Sequence, residues 1–342
     1  MPLLDVDIAK LRAKNEYRFS KVRGEAMLSL RIPGGVMPAH LLDIARDVAQ
    51  KYGNGTIHLT TRQKLAIPGI RYENVDKANK MIAPFIQEMT IDTCGIEQDS
   101  EAGYATLGGR NTVACQGNRI CVKGNVDTTG LAQRLEKLIY PQAYHIKIVI
   151  AGCPQDCAKA NVADIGIFGV ADMEYDRNRC IACEKCVELC QQHAVNCLHM
   201  DQFKVVKEST KCIGCGECAT VCPTLAWHRS PKKLYMVKLG GRTSKMTPRI
   251  GKIFLNWVTE DVLVGVIKNI WKFSEYVLDG SPRYLHMGHL IDKSGYHEFK
   301  KWALKDLELN PEAMLADRMY WLENEYAANM HVKSAGLIAS GH

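Results

Sequence analysis

The chain has 342 residues and a net charge of +7, and is 46% hydrophobic and 24% charged, ordinary proportions that set an expectation of about two domains with separate cores. Fourteen cysteines spread over that length argue against a small disulfide scaffold and for a reducing, cytoplasmic setting. The polar start MPLLDVDIAKLRAKNEYRF is no secretory signal, no uncharged apolar run of about 18 residues occurs, and no basic run with interleaved aromatics points to nucleic acid.

Residues 20–70 read as β-rich. AMLSLR, residues 26–31, predicts a strand that Pro33, Gly34 and Gly35 end as a turn. A helix is expected over about 38–52, with Leu41, Leu42, Ile44, Ala45 and Val48 on one face. Gly53, Asn54 and Gly55 close it, and 56–61 begins another strand. A helix over 75–88 leads into a glycine-rich stretch, 103–109. A further helix over 129–138 precedes a strand over 144–150. Residues 173–229 form a unit of their own with an internal repeat of 32 residues, seen in the step from Cys180 to Cys212. Residues 234–239 return to strand. The remainder, 250–342, is expected to be mainly helical, with 311–330 its clearest amphipathic segment.

Twelve cysteines fall into three groups. Cys115 and Cys121 (C-x5-C) are followed by Cys153 and Cys157 (C-x3-C). Cys180, Cys183, Cys186 and Cys190 then read C-x2-C-x2-C-x3-C, and Cys212, Cys215, Cys218 and Cys222 repeat that spacing ahead of Pro223. Thiolates at such spacings are ligands of iron–sulfur clusters, and the repeated run is the bacterial two-cluster ferredoxin pattern. In that pattern the fourth cysteine of each run serves the other cluster. Cys180, Cys183, Cys186 and Cys222 would hold one cluster, and Cys212, Cys215, Cys218 and Cys190 the other. Zinc sites rarely crowd four thiolates so closely. Cys94 and Cys197 read as small buried hydrophobes.

CQGNRIC and GCPQDC, together with RIPGG, HLTTRQ, GGRNTVAC, HIKIVIAGCP and LYMVKLGGR, resemble the sirohaem-containing sulfite and nitrite reductases over about residues 25–245. The resemblance implies an α+β chain with the sirohaem sulfite/nitrite reductase fold. Residues 1–78 would be a ferredoxin-like half-domain. Residues 79–172 and 230–342 would form an α/β domain for sirohaem and a 4Fe-4S cluster, and 173–229 an inserted two-cluster bacterial ferredoxin domain. It further implies that Cys115, Cys121, Cys153 and Cys157 hold the cluster and that Cys157 is shared with the haem iron. Thr60, Arg62 and Gln63 match haem-contacting positions. Arg242 and Lys245 suit the carboxylate-rich haem, with a solvated surface role as their alternative. Arg110 and Lys147 match substrate-binding positions, and Lys147 interrupts an otherwise apolar strand.

Two positions depart from the family. Ser29 stands where a substrate arginine falls, and His145 where a second lysine falls. Arg31 shares a strand face with Ser29 and could replace that arginine, while a protonated His145 could still donate. A single copy of the unit with a ferredoxin insert is similar to the catalytic subunits of dissimilatory-type, anaerobic sulfite reductases. That implies three 4Fe-4S clusters, sirohaem, sulfite as substrate, self-association, and partner subunits that bind flavin and nicotinamide and carry iron–sulfur centres. The chain itself shows no G-x-G-x-x-G at a strand-to-helix junction. Nitrite reduction to ammonia, or a haem-free electron-transfer subunit, are the competing readings.

Overall fold

The computed structural model describes residues 17–101, 111–140, 144–243, 248–279 and 285–322. Its first body is an antiparallel sheet in the order β1 (Tyr17–Phe19), β2 (Glu25–Arg31), β4 (Lys64–Arg71), β3 (His58–Leu59). Helices α1 (Leu41–Lys51) and α2 (Val75–Ile86) cover one face. The two-residue period of β2 sends Ala26, Leu28 and Leu30 into that helical layer. Ser29 and Arg31, both buried, therefore face the other way. The packed core runs on to Met89, so the boundary expected at 78 falls inside α2. The strand expected over 56–61 shrinks to two residues, and the long strand is β4. Pro68 and Gly69 within it are residues that ordinarily demote a strand.

The second body is a six-stranded sheet. β5 (Val113–Ala114), β6 (Ile148–Ala151) and β7 (Ile165–Val170) run parallel, with α3 (Thr128–Ile139) as the crossover from β5 to β6. The insert follows. Its first strand, β8 (Met173–Tyr175), pairs antiparallel with its last, β11 (Trp227–Arg229), so the chain enters and leaves side by side. Between them lie α4 (Lys185–Gln192), a hairpin of β9 (Leu198–Asp201) and β10 (Lys204–Lys207), and the single-turn α5 (Glu217–Val221).

β12 (Leu234–Leu239) then joins β7 antiparallel, and β13 (Lys252–Thr259) extends the sheet. Helices α6 (Glu260–Leu278), α7 (Met287–Ser294) and α8 (Tyr296–Ala303) pack with α3 on one face, where Ile148, Ile150, Tyr235 and Val237 point. The opposite face carries Val113, Val149, Ala151, Phe168, Leu234 and Met236. By strand alternation Lys147 and Lys238 also lie on that second face.

The C-terminal expectation is corrected in two places. Its first element is the strand β13, and residues 311–322 form turns and the short β14 (Met314–Leu315) rather than a helix. The cause is tertiary pairing. Asn310 binds the Thr259 amide and the Trp257 carbonyl at 3.1 and 2.8 Å, and Ala316 N donates to Phe254 O at 3.0 Å, laying the segment along β13. Residues 323–330 lie outside the described residues. Among the described residues no helix is long and apolar enough to cross a membrane.

Candidate active site

Parallel strands leave a crevice beyond their carboxyl ends, and loops placed there carry chemistry. β5 ends directly at Cys115, and its neighbour β6 ends at the loop bearing Cys153 and Cys157. Cys115 N donates to Ile150 O at 3.0 Å, and Gly152 N donates to the Cys115 sulfur at 3.0 Å. With Cys121, these residues line one cavity of about 580 Å³ that also includes Gly35, Gln63 and Lys159. Burial raises the Cys153 thiol, and neighbouring Cys115, Cys121 and Cys157 raise it further. Four thiols lining one open volume are a donor set suited to an iron–sulfur cluster.

Backbone geometry presents Cys157 to this space. Asp156 and Lys159, on either side of it, hold the left-handed region at φ 55° and 63°. Non-glycine residues rarely do so unless their surroundings fix them. The Asp156 carboxylate provides the fixing, accepting from Ala160 N, Asn161 N and Asn161 Nδ2 at 2.5, 3.0 and 2.7 Å. Cys157 is left exposed.

The first body closes the cavity from the other side. Thr60 Oγ1 accepts from Lys64 N at 3.1 Å and tightens the turn between β3 and β4. Gln63, at φ 54°, crosses to Ala114 with both ends of its amide. Asn111 Nδ2 donates to the carbonyls of Ile32 and Arg62 at 2.9 and 3.0 Å. Arg62 is half-buried, and its pKa is lowered by burial and further by Arg18, with Asp164 opposing. Arg31, expected in the anion cage, is buried and ion-paired with Glu136 of α3, whose other oxygen accepts from Thr112 N at 2.6 Å. Its charge thus joins the two bodies. Arg110 and Lys245 lie outside the described residues.

Around the start of β6 a second cluster forms that sequence reasoning largely missed. Asp164, fully buried, accepts from Lys147 N at 3.1 Å, His286 Nδ1 at 2.9 Å and Met287 N at 2.8 Å. His145 stacks edge-on against His286, with ring centroids 5.3 Å apart. Arg242 is buried rather than solvated and bonds His289. Burial lowers the Arg242 pKa, Arg249 lowers it further, and Asp292 opposes both. Lys238 lies over the Phe168 ring and donates to Asn161 Oδ1 at 2.7 Å, its pKa lowered by burial against Asp156. Lys147, His145 and Arg242 were expected here from sequence. Asp164, Lys238, His286 and His289 were not, and the one available signal was Lys238 inside the apolar run LYMVKL.

In the insert, cysteines of both runs pack into one small core. Burial pushes Cys218 up to about 12, with Cys215, Cys212 and Cys186 adding to it. Burial raises Cys215 too, and its charged neighbours include Cys212 and Cys190. Burial likewise raises Cys186, and its sulfur neighbour is Cys222. Cys180 and Cys222 go down instead. Burial opposes this, but Tyr175 with backbone amides and Lys204 favours the Cys180 thiolate, and the amides of Trp227, Thr224 and Ala226 with the Thr224 hydroxyl favour that of Cys222. Cys197 is buried, as expected, but lies 3.4 Å from the Cys190 sulfur and donates its amide to it at 3.3 Å. All fourteen cysteines are free of disulfides.

Residues 108–310 match the nitrite and sulphite reductase 4Fe-4S domain, and residues 20–85 match the nitrite/sulfite reductase ferredoxin-like half domain. The C subunit of the anaerobic sulfite reductase of Salmonella typhimurium is 62% identical over 334 residues, covering 97% of this chain and 99% of that one. The coenzyme F420-dependent sulfite reductase of Methanocaldococcus jannaschii is 32% identical over 187 residues, 54% of this chain and 27% of that protein. The crystal structure of dissimilatory sulfite reductase I superposes with a TM-score of 0.63 at 15% identity, covering 91% of this chain and 77% of that one.

Proposed function

This chain belongs to the nitrite and sulphite reductase family, and we propose that it is the catalytic subunit of a sulfite reductase. Sulfite takes up six electrons and eight protons and leaves as hydrogen sulfide, with three waters. The observation that carries this reading is the convergence of Cys115, Cys121, Cys153 and Cys157 on one cavity, beside the sheet face on which strand alternation places Lys147 and Lys238. Sirohaem coupled to a 4Fe-4S cluster would supply the redox centres there.

The four cysteines would hold the cluster, and Cys157 would be the one shared with the haem iron, a role that its exposure supports. Thr60, Arg62, Gln63, Arg242 and Lys245 would hold the haem's carboxylates through charge and hydrogen bonding. Lys147, Arg110 and His145 would bind the sulfite oxyanion and donate protons as its oxygens leave. Lys238 joins them by its place on the same face as Lys147. Arg31 acts through Glu136, fixing the wall from which Gln63 reaches the cavity.

The eight cysteines of 173–229 would hold two further clusters, three in all, and pass electrons inward. Their source would be partner subunits that carry flavin, nicotinamide and iron–sulfur centres. The name of the Salmonella relative, one subunit of a reductase, supports such a division. The half-domain, the split sirohaem domain and the ferredoxin insert would divide the chain near the boundaries expected from sequence, and the reach of the first core to Met89 supports a first boundary beyond 78. Free thiols throughout suit a cytoplasmic setting, and self-association completes the arrangement.

Anaerobically purified protein, assayed with reduced viologen against each anion, tests the substrate. Sulfite should be reduced to sulfide in preference to nitrite; the reverse preference would make this a nitrite reductase. Chlorin-type absorption bands should be present, and their absence would leave a haem-free electron carrier.

A further inference from the structure

We propose that the two ferredoxin-type sets act in a fixed order: electrons enter at Cys180, Cys183, Cys186 and Cys222, and leave for the active-site cavity through Cys212, Cys215, Cys218 and Cys190. This rests on the reading that both sets hold clusters. What points to the order is an asymmetry in how the insert is docked.

The loop that follows Cys121 is bound to the second motif at three places. Lys123 Nζ pairs with Glu217 Oε2 at 3.1 Å, and Glu217, largely buried between Cys215 and Cys218, also meets His193 at 3.3 Å. Asn125 N donates to Gly152 O, next to Cys153, at 2.8 Å. Its Nδ2 donates to Gly214 O, between Cys212 and Cys215, at 3.2 Å. Arg229 spans the same seam, donating to Val122 O at 3.1 Å and to Gly216 O at 3.5 Å. Gly214 O also accepts from Ala171 N at 2.8 Å, tying the motif to the end of β7. A side chain at Gly216 would lie 2.8 Å from Arg229 Nε, so the close approach needs glycine there.

The first motif has no such bonds to the cavity loops among the described residues. Its ties run within the insert, as from Lys204 Nζ to Cys180 O at 2.8 Å. It faces outward instead, with Cys183 exposed and Ile181 and Leu225 at 64% and 61% exposure beside it. An external donor can reach this set, while the second set is joined by hydrogen bonds to the loops of Cys121 and Cys153.

Each hop would be a one-electron exchange between the clusters these cysteines would hold, the outer one losing one electron as the next inward gains it. No bond or proton moves. The electrons come from a low-potential one-electron donor, oxidised in the first step.

Electron paramagnetic resonance of the reduced holoprotein tests the order through magnetic coupling to the active-site centre. In Cys183→Ser the surviving second-motif signal should remain broadened and fast-relaxing, because its neighbour in the cavity is still present. In Cys215→Ser the surviving first-motif signal should become sharp and slow-relaxing. The opposite pattern would overturn the order. Lys123→Met is a milder variant that keeps every ligand. It should move the potentials of the second-motif and cavity signals downward and leave that of the first motif in place; a shift confined to the first motif would also overturn it. Iron for fewer than three clusters in the parent protein would instead defeat the underlying reading.

Discussion

Gln63 holds both backbone groups of Ala114, donating from Nε2 to its carbonyl at 2.6 Å and accepting its amide at Oε1 at 3.0 Å. The residue before Cys115 is thereby fixed by a turn from the other body, as a strand partner would fix it. Gly35 makes this possible, since a Cβ there would lie 2.5 Å from Gln63 Nε2, and its φ of 72° is one that side chains rarely adopt. Gly35→Ala should displace the amide and loosen the Cys115 wall. Iron analysis should show iron lost from the cavity site, with the ferredoxin-type paramagnetic signals intact.

Arg31 and Glu136 are both buried, and their ion pair joins the two bodies. Removing one partner leaves a charge in a site of low polarity, whereas replacing both with apolar groups does not. Arg31→Met should destabilise the fold by about 3–5 kcal/mol in denaturant unfolding. The double variant Arg31→Met/Glu136→Leu should recover most of the loss. A neutral single variant would remove the pair from the account.

His289 has a pKa lowered by burial first, then by Arg242, Arg249 and His286, with Asp292 opposing. Between an unfolded value of about 6.5 and the lowered folded one, the unfolded chain binds a proton that the folded chain resists. Stability should therefore fall as pH drops through that window, and this group should contribute nothing above it. His289→Asn should flatten the acid limb of a plot of unfolding midpoint against pH, leaving the values above neutrality nearly parallel.

Lys238 shares the cavity-side face with Lys147. If it stabilises departing oxygen, Lys238→Met should lower kcat/KM for sulfite on the order of a hundredfold while the chlorin absorption stays. Lys238→Arg should restore part of it. Loss of the absorption in step with activity would make Lys238 a haem-binding residue.

The cysteine groups were legible because the runs after Cys180 and Cys212 are local in sequence. The strands at 26–31 and 234–239 were legible for the same reason, through a period of two or a continuous apolar run. Asp164 was not, since its partners Lys147, His286 and Met287 come together only when β6 and β7 pair in parallel and α7 folds back beneath them. Glu136 reads in sequence as one more polar residue of α3, and its burial is visible only once Arg31 arrives from the other body. Residues 311–322 have helical periodicity, but Asn310 and the edge of β13 decide their conformation.

The central claim is that the cavity of Cys115, Cys121, Cys153 and Cys157 is where sulfite is reduced. The most direct measurement is sulfide production from sulfite with reduced viologen by Cys157→Ser, alongside iron per chain. Activity should be abolished while roughly two-thirds of the iron, that of the two ferredoxin-type sets, is retained. Full activity in that variant would contradict the claim.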